Sequence, residues 1–392
     1  MYPSLYYAIK DLFGFNLPFL KMIQSFGFFV AIAFLVASYL LTKEFKRKEA
    51  EGLLTPQKIK VLIGVKATTL DFVVSGILGF LLGYKFLFIA QHFSQFLEDT
   101  QGFILSFQGN VFGGIIGITI SIYSKYRESE KTKLDKPHWV EEIVYPHHHV
   151  GNITIIAAIA GIIGAKIFHN LENWDEFTTD PIGALFSFSG LTMYGGLIVA
   201  AFAVIYYGKK SKIPATHLVD IAAPALMLAY AVGRIGCQVS GDGDWGIDNL
   251  AKKPHMLSWL PNWMWSYDYP HNVNSVGVQL SDCFNDKYCN HLVPSVFPTP
   301  FYETVMCTVL FFVLWGMRKR IKVPGMLFSI YLVFNGIERF LIEQIRVNTL
   351  YHVNGFAFTQ AELISVLLFI LGIVGIVYFK KQYRTEDFKK SN

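Results

Sequence analysis

The chain reads as an all-α, polytopic integral membrane protein of about nine transmembrane helices. Three observations predict this class. Hydrophobic residues make up 53% of the 392 residues and charged residues only 16%, with a mean hydropathy of +0.38. Runs of ~20 mostly apolar residues, the length that spans a bilayer as helix, recur along the chain. Lysine and arginine gather in alternate loops between those runs, the pattern that orients membrane helices.

In order, the apolar runs fall at about 22–42, 68–90, 103–123, 152–169, 190–207, 216–236, 300–317, 324–344 and 361–379. Basic clusters follow the first (Lys43, Lys46, Arg47, Lys48), third (Lys125, Arg127, Lys131), fifth (Lys209, Lys210, Lys212) and seventh (Arg318, Lys319, Arg320, Lys322). The tail adds Lys380, Lys381 and Arg384. This alternation predicts an N-terminus outside and a C-terminus in the cytoplasm. The expected organisation is an extracytoplasmic segment 1–21, a membrane bundle 22–236, an extracytoplasmic loop 237–299, membrane helices 300–379 and a cytoplasmic tail 380–392. The first residues lack the basic region and cleavage site of a signal peptide, so the start is expected to be retained.

Inside the bundle two stretches, about 68–125 and 150–208, read as a repeat. Gly83-Tyr84-Lys85 matches Gly164-Ala165-Lys166, and Ser106-Phe107-Gln108-Gly109 matches Ser187-Phe188-Ser189-Gly190. Phe112-Gly113-Gly114 then matches Tyr194-Gly195-Gly196 with one residue inserted. Each copy holds an even number of spans, so the copies point the same way, unlike the inverted repeats of many transporters.

The modest positive charge comes from loop clusters and is no nucleic-acid signal. Of the four cysteines, Cys237 and Cys307 read as isolated, whereas Cys283 and Cys289 share the long loop and can pair where it faces an oxidising compartment. His147-His148-His149 fits no ligand spacing. No metal and no cofactor is expected.

The chemistry centres on Gly233-Arg234-Ile235-Gly236-Cys237, at the end of an apolar run, and the Gly- and Asp-rich turn behind it, Gly241-Asp242-Gly243-Asp244. An arginine inside a membrane helix costs ~2.5–3.5 kcal/mol at the bilayer centre on insertion scales, so it has a partner or a task. Glu303, Arg339, Glu343 and Arg346 share its depth, as do Lys85, Lys166 and Tyr194. The spacing of Arg339, Glu343 and Arg346 predicts one helical face. Their common depth predicts one lipid-accessible polar cavity near the outer leaflet. Arginine forks bind phosphate bidentately, which makes a phospholipid headgroup the expected guest. The alternative is a salt-bridge network, Arg339 with Glu343 or Glu303, that only holds helices together.

The same residues resemble a known family. Gly233-Arg234-Ile235-Gly236 with Ser240-Gly241-Asp242 and Trp245-Gly246 resembles the signature of the prolipoprotein diacylglyceryl transferases. Pro298-Thr299-Pro300-Phe301-Tyr302-Glu303, the run Arg339 to Arg346, and Gly190 to Gly196 are similar to its other motifs. The resemblance implies transfer of diacylglyceryl from phosphatidylglycerol to the lipobox cysteine of a prolipoprotein, in a bacterial inner membrane, with the active site facing the outer leaflet. It implies Arg234 and Arg339 on the phosphate, and Glu303 and Glu343 orienting them. Gly195, Gly196, Gly241, Asp242, Asp244 and Arg346 would line the lipid. Tyr194 stands where the family often has His and would serve as a hydrogen-bonding group or base. Cys237 stands where the family often has Asn. The other readings are a transporter or flippase of an anionic lipid or metabolite, and a lipid-binding assembly protein.

Overall fold

A computed structural model of the chain describes all residues except 99, 135, 188–189, 191, 282, 284–286, 354 and 392. Phe188, Ser189 and Leu191, which belong to the compared motifs, lie outside the described residues. In chain order the helices are α1 (Leu5–Phe13), α2 (Ser25–Ala50), α3 (Thr69–Gln91), α4 (Phe93–Glu98), α5 (Thr100–Leu105), α6 (Val111–Thr132) and α7 (Val150–Glu172). They continue as α8 (Trp174–Thr179), α9 (Pro181–Phe186), α10 (Met193–Lys210), α11 (Ala215–Ser240), α12 (Thr299–Met317), α13 (Met326–Glu343) and α14 (Gln360–Ser391).

Among the described residues, six helices are long and apolar enough to cross a membrane: Ser25–Ala50, Thr69–Gln91, Pro146–Glu172, Ala215–Ser240, Thr299–Met317 and Gln360–Thr385. Helix is what an apolar run must form in lipid, because every backbone N–H and C=O then pairs within the segment. Large apolar side chains such as Leu82, Ile162, Phe312 and Val377 stay exposed along these helices. A surface this apolar needs a lipid cover. The protein is a multi-pass membrane protein.

Two features that bear on the compared motifs differ from the sequence reading. The apolar stretch at 103–123 is split: Thr100–Leu105 forms the short α5, and the long helix starts only at Val111, where the Asn110 side chain accepts from Gly113 N–H. Asparagine is a strong N-cap because its oxygen satisfies a first-turn N–H. Helix α13 ends at Glu343, so Arg346 lies beyond it and not on its face. A bridge from Arg346 to Gly246 takes over the chain there.

The chain divides into two compact units. The first holds Met1–Leu53, His149–Ala157 and Ala201–Asn392. Helix α11 is its centre, packed on α2, α12 and α13, while α14 packs on α13. Ile221, Ala223, Ala225 and Met227 of α11 are fully or almost fully buried. A Cβ on Gly236 would sit 3.0 Å from Phe29 Cβ, so glycine lets α2 approach there. Near the start of α11, the Asp220 carboxylate accepts from Gly325 N–H (2.8 Å) and Phe328 N–H (2.9 Å), capping α13. Beside it Glu44, 2% exposed, pairs with Arg47 (2.8 Å) and Arg318 (2.6 Å), and the Arg318 guanidinium lies 3.4 Å from the Trp315 ring centre. The long loop 241–298 carries a short ribbon, β3 (Val278–Gln279) with β4 (Asn290–His291), and a Cys283–Cys289 disulfide. The hairpin of β5 (Leu350–Val353) and β6 (Phe356–Thr359) leads into α14.

The second unit holds Leu54–His148 and Ala158–Ala200. Antiparallel strands β1 (Gln57–Ile63) and β2 (His138–Val144) pair Lys60 opposite Glu141, a favourable cross-strand charge pair. From α3 to α9 the helices show one element order twice, at an offset of 81 residues. α3 and α7 start at Thr69 and Val150 and end at Gln91 and Glu172. The short helices match likewise, Phe93–Glu98 with Trp174–Thr179 and Thr100–Leu105 with Pro181–Phe186. A side chain on Gly113 would collide with Gly83 O, and one on Gly195 with Phe168 and Gly164 O. The paired helices therefore touch through backbone at matching glycines. In both copies a lysine reaches the turn that follows the short helices. Lys85 Nζ donates to Phe103 O, Ser106 O and Gln108 O, and Lys166 Nζ donates to Ser187 Oγ (2.7 Å).

Candidate functional site

Helices α11, α12 and α13 of the first unit converge on one carboxylate, Glu303, which is fully buried. It lies one turn into α12. Arg234, 6% exposed near the end of α11, sets its Nε 2.8 Å from Glu303 Oε2. Arg339 of α13 donates through Nη1 to Glu303 Oε1 at 3.3 Å, and its Nη2 lies 2.9 Å from Glu343 Oε2. Arg346 Nη1 stands 3.7 Å from Glu303 Oε1. Three guanidinium groups thus face one buried carboxylate.

Tyr230 completes this centre and was not singled out in the sequence. It lies one helical turn before Arg234, accepts from Arg234 Nη2 at 3.0 Å, and donates to Glu303 Oε1 at 2.9 Å. The i, i+4 spacing to Arg234 was the available signal. Glu338 was also missed. It is 1% exposed, and neither carboxylate oxygen has a hydrogen-bond partner among the described residues.

The turn after α11 closes the site from the loop side. Gly241 ends the helix with φ +64°, a left-handed cap that glycine adopts without strain. Asp244 then ion-pairs with both Arg234 and Arg346. Its position is fixed on two sides. Thr299 Oγ1 donates to Asp244 O at 2.7 Å, and Gly246 N–H donates to Phe297 O at 2.8 Å. Ile247 N–H donates to Ile345 O at 2.9 Å, tying the loop to the end of α13. A side chain on Gly246 would stand 2.5 Å from Ile345 O, so this crossing needs glycine.

Burial pushes the Asp244 carboxyl up, but the guanidinium groups of Arg234 and Arg346 outweigh it, and the net direction is down. Asp242 goes the other way: burial and the neighbouring Asp244 charge hold its pKa above the usual carboxylate range. Cys237 is not isolated as its spacing implied. Its Sγ accepts from Arg234 Nη1 at 3.6 Å, and its donor atom clusters with those of Asp242 and Asp244. Arg234 reaches two members of this group, ion-pairing with Asp244 and donating to Cys237.

Of the residues singled out in the sequence, Arg234, Asp244, Glu303, Arg339, Glu343 and Arg346 meet in one ion-paired network. Asp242 and Gly241 flank it. The arginines are compensated by carboxylates: Asp244 is the one on a loop, and its side chain is 31% exposed against 0% for Glu303. Tyr194, Gly195 and Gly196 belong to the second unit. There Tyr194 is half-buried at the start of α10, and both glycines are buried against α7. His149 Nδ1 lies 2.9 Å from Tyr207 Oη.

The family model of prolipoprotein diacylglyceryl transferase matches residues 132–378, a stretch that contains all of these residues. The chain belongs to the prolipoprotein diacylglyceryl transferase family. It is 26% identical to a phosphatidylglycerol–prolipoprotein diacylglyceryl transferase of Leptospira interrogans over 387 residues, 91% of this chain and 89% of the relative. A protein of the same name from Dehalococcoides mccartyi is 26% identical over 235 residues, 59% of this chain and 78% of the relative. Another from Streptococcus agalactiae is 24% identical over 271 residues, 68% of this chain and 90% of the relative. Within this family the first copy of the repeat, Thr69–Thr132, lies almost wholly outside the matched stretch, and the second lies inside it.

Proposed function

We propose that this chain transfers the diacylglyceryl group of phosphatidylglycerol to the lipobox cysteine of a prolipoprotein. The cysteine sulfur attacks the glyceryl carbon that carries the phosphate. A C–S bond forms, the C–O bond to phosphate breaks, and glycerol phosphate leaves with the electron pair. The thiol proton goes to a base or to the departing phosphate.

One observation carries this reading: Arg234 and Arg339, on separate helices, converge with Arg346 on a common buried point. Such forks are preorganised for a phosphate whose charge grows as the C–O bond breaks, and fixed donors at developing charge contribute several kcal/mol in a dry site. In the resting protein Asp244 occupies the anionic place between Arg234 and Arg346. The lipid phosphate takes that place, and Asp244, the least buried carboxylate of the network, swings out. Glu303 and Glu343 stay and aim the guanidinium planes. Asp242 and Gly241 shape the turn that moves. Tyr194 supplies a hydrogen bond, with Gly195 and Gly196 setting the closeness of α7 and α10 behind it. An unperturbed tyrosine, pKa near 10, is a weak base at neutral pH, so Tyr194 orients and does not take the proton unaided.

The nine helices of 18 residues or more among the described residues would then all span a bacterial inner membrane. The N-terminus lies outside, the C-terminus lies in the cytoplasm, and the network faces the outer leaflet. Proteoliposomes of phosphatidylglycerol with purified protein and a signal peptide bearing a lipobox cysteine test this. Mass spectrometry should show a diacylglyceryl thioether on the peptide. A protein that binds the lipid and leaves the peptide unmodified sinks the reading.

A further inference from the structure

The repeat supplies an internal comparison. At corresponding positions of its two copies the chain places very different side chains. In the first copy Phe103 stacks on Phe88 (4.8 Å between ring centres) and meets Phe96 edge-on at 5.6 Å. Phe96 is 2% exposed, so this aromatic plug fills the space between α3 and the short helices. At the offset of 81 residues, Phe103 corresponds to Ala184, Phe88 to His169 and Ile89 to Asn170. Where the plug would be, the second copy has a polar cavity of about 180 Å³.

Its lining includes Lys166, His169, Asn170, Asn173, Glu176 and Ser187. Lys166 is 9% exposed and Asn170 7%. Asn170 Nδ2 has no hydrogen-bond partner among the described residues. A buried amide N–H left unbonded is destabilising, and a ligand acceptor removes that cost. Gly190, at φ +70°, packs its backbone directly on the His169 ring, where any side chain would overlap Nε2. The imidazole is held in place as a wall of the cavity, with Asn173 Nδ2 3.2 Å from its Nδ1.

We infer that this cavity binds a glycerol phosphate group. The lining offers the Lys166 cation and the Asn170 amide as donors for phosphate oxygens, while the Asn173 amide is committed to His169 and holds its ring as a wall. The Glu176 carboxylate accepts from hydroxyls. A small anionic polyol satisfies both needs; a purely apolar or purely cationic ligand satisfies neither. The group can arrive as the headgroup of an intact lipid or as free glycerol phosphate. The inference rests on the second unit alone and stands whether or not the arginine network performs the transfer.

The test uses full-length protein in nanodiscs with ¹³C-labelled histidine, the His169 resonance being identified by its loss in His169→Gln. It is titrated with sn-glycerol 1-phosphate and, separately, with dihexanoyl phosphatidylglycerol. A saturable shift of His169 with free glycerol phosphate marks a site for the released group. A shift with the short-chain lipid alone marks a headgroup site. Ala184→Phe restores the aromatic of the first copy, and Asn170→Ile restores its apolar neighbour. Each should weaken binding at least about tenfold, the loss of roughly one hydrogen bond to a charged group. A His169 resonance that moves with neither probe at millimolar concentration overturns the inference. So does binding that both variants leave unchanged while the protein keeps its wild-type unfolding temperature.

Discussion

Replacing Arg234 with lysine keeps the charge and removes the fork. The guanidinium sets Nε 2.8 Å from Glu303, gives Nη2 to Tyr230 at 3.0 Å, and directs Nη1 to Asp244 and Cys237. A lysine ammonium is a point charge and cannot span Glu303 and Asp244 together. About two charge-assisted hydrogen bonds go, at roughly 1.5–3 kcal/mol each. If those donors face phosphate in the transition state, the loss is about 3–6 kcal/mol, a fall of roughly 10²–10⁴ in kcat/KM. The assay is thioether formation on a lipobox peptide in phosphatidylglycerol vesicles, with kcat and KM measured separately. Thermal unfolding is followed in parallel, because the same network also holds α11 against α12. A kcat/KM within about threefold of wild type refutes the phosphate assignment. A lowered unfolding temperature with full activity at lower temperature refutes it too, leaving a salt-bridge network and nothing more.

Asp244→Asn removes the resting anion, so KM for phosphatidylglycerol should fall several-fold with kcat little changed; a fall in kcat instead would make Asp244 part of the chemistry. Asp242 has a folded pKa above its unfolded value, so its proton is bound more tightly in the folded state. Its ionisation therefore costs stability, fully above the folded pKa and not at all below the unfolded value near 3.9. Asp242→Asn should raise the unfolding temperature at pH 7, with the gain vanishing near pH 3; a gain unchanged across that range would rule out the charge as its cause. Glu44→Gln leaves Arg318 and Arg47 partly uncompensated in a buried site and should destabilise by about 3–5 kcal/mol, read by thermal unfolding, with KM for the lipid unchanged. Tyr194→Phe should lower kcat by about tenfold, the loss of one hydrogen bond in the transition state; full activity would take Tyr194 out of the mechanism.

The sequence by itself determined the long apolar helices and marked the charged residues within them. A run of apolar residues long enough to cross lipid has one way to satisfy its backbone, so composition and length sufficed for Ser25–Ala50 or Ala215–Ser240. Arginine in such a run announces itself by its cost, which is why Arg234 and Arg339 were legible. The matching of Lys85 with Lys166 was legible too, since a repeat is written in order along the chain. Tertiary structure decided which charges meet. Glu303 as the shared partner of three arginines and Asp244 as the bridge to Arg346 are contacts between segments far apart in sequence, and no local period encodes them. Beyond the end of α13, Arg346 forms an isolated bridge with Gly246 of the loop, against a helical spacing that ran on. The cavity beside His169 and Asn170 follows from Phe103 giving way to Ala184. A missing ring leaves no mark in a hydropathy pattern, and its consequence exists only where neighbouring elements surround the space.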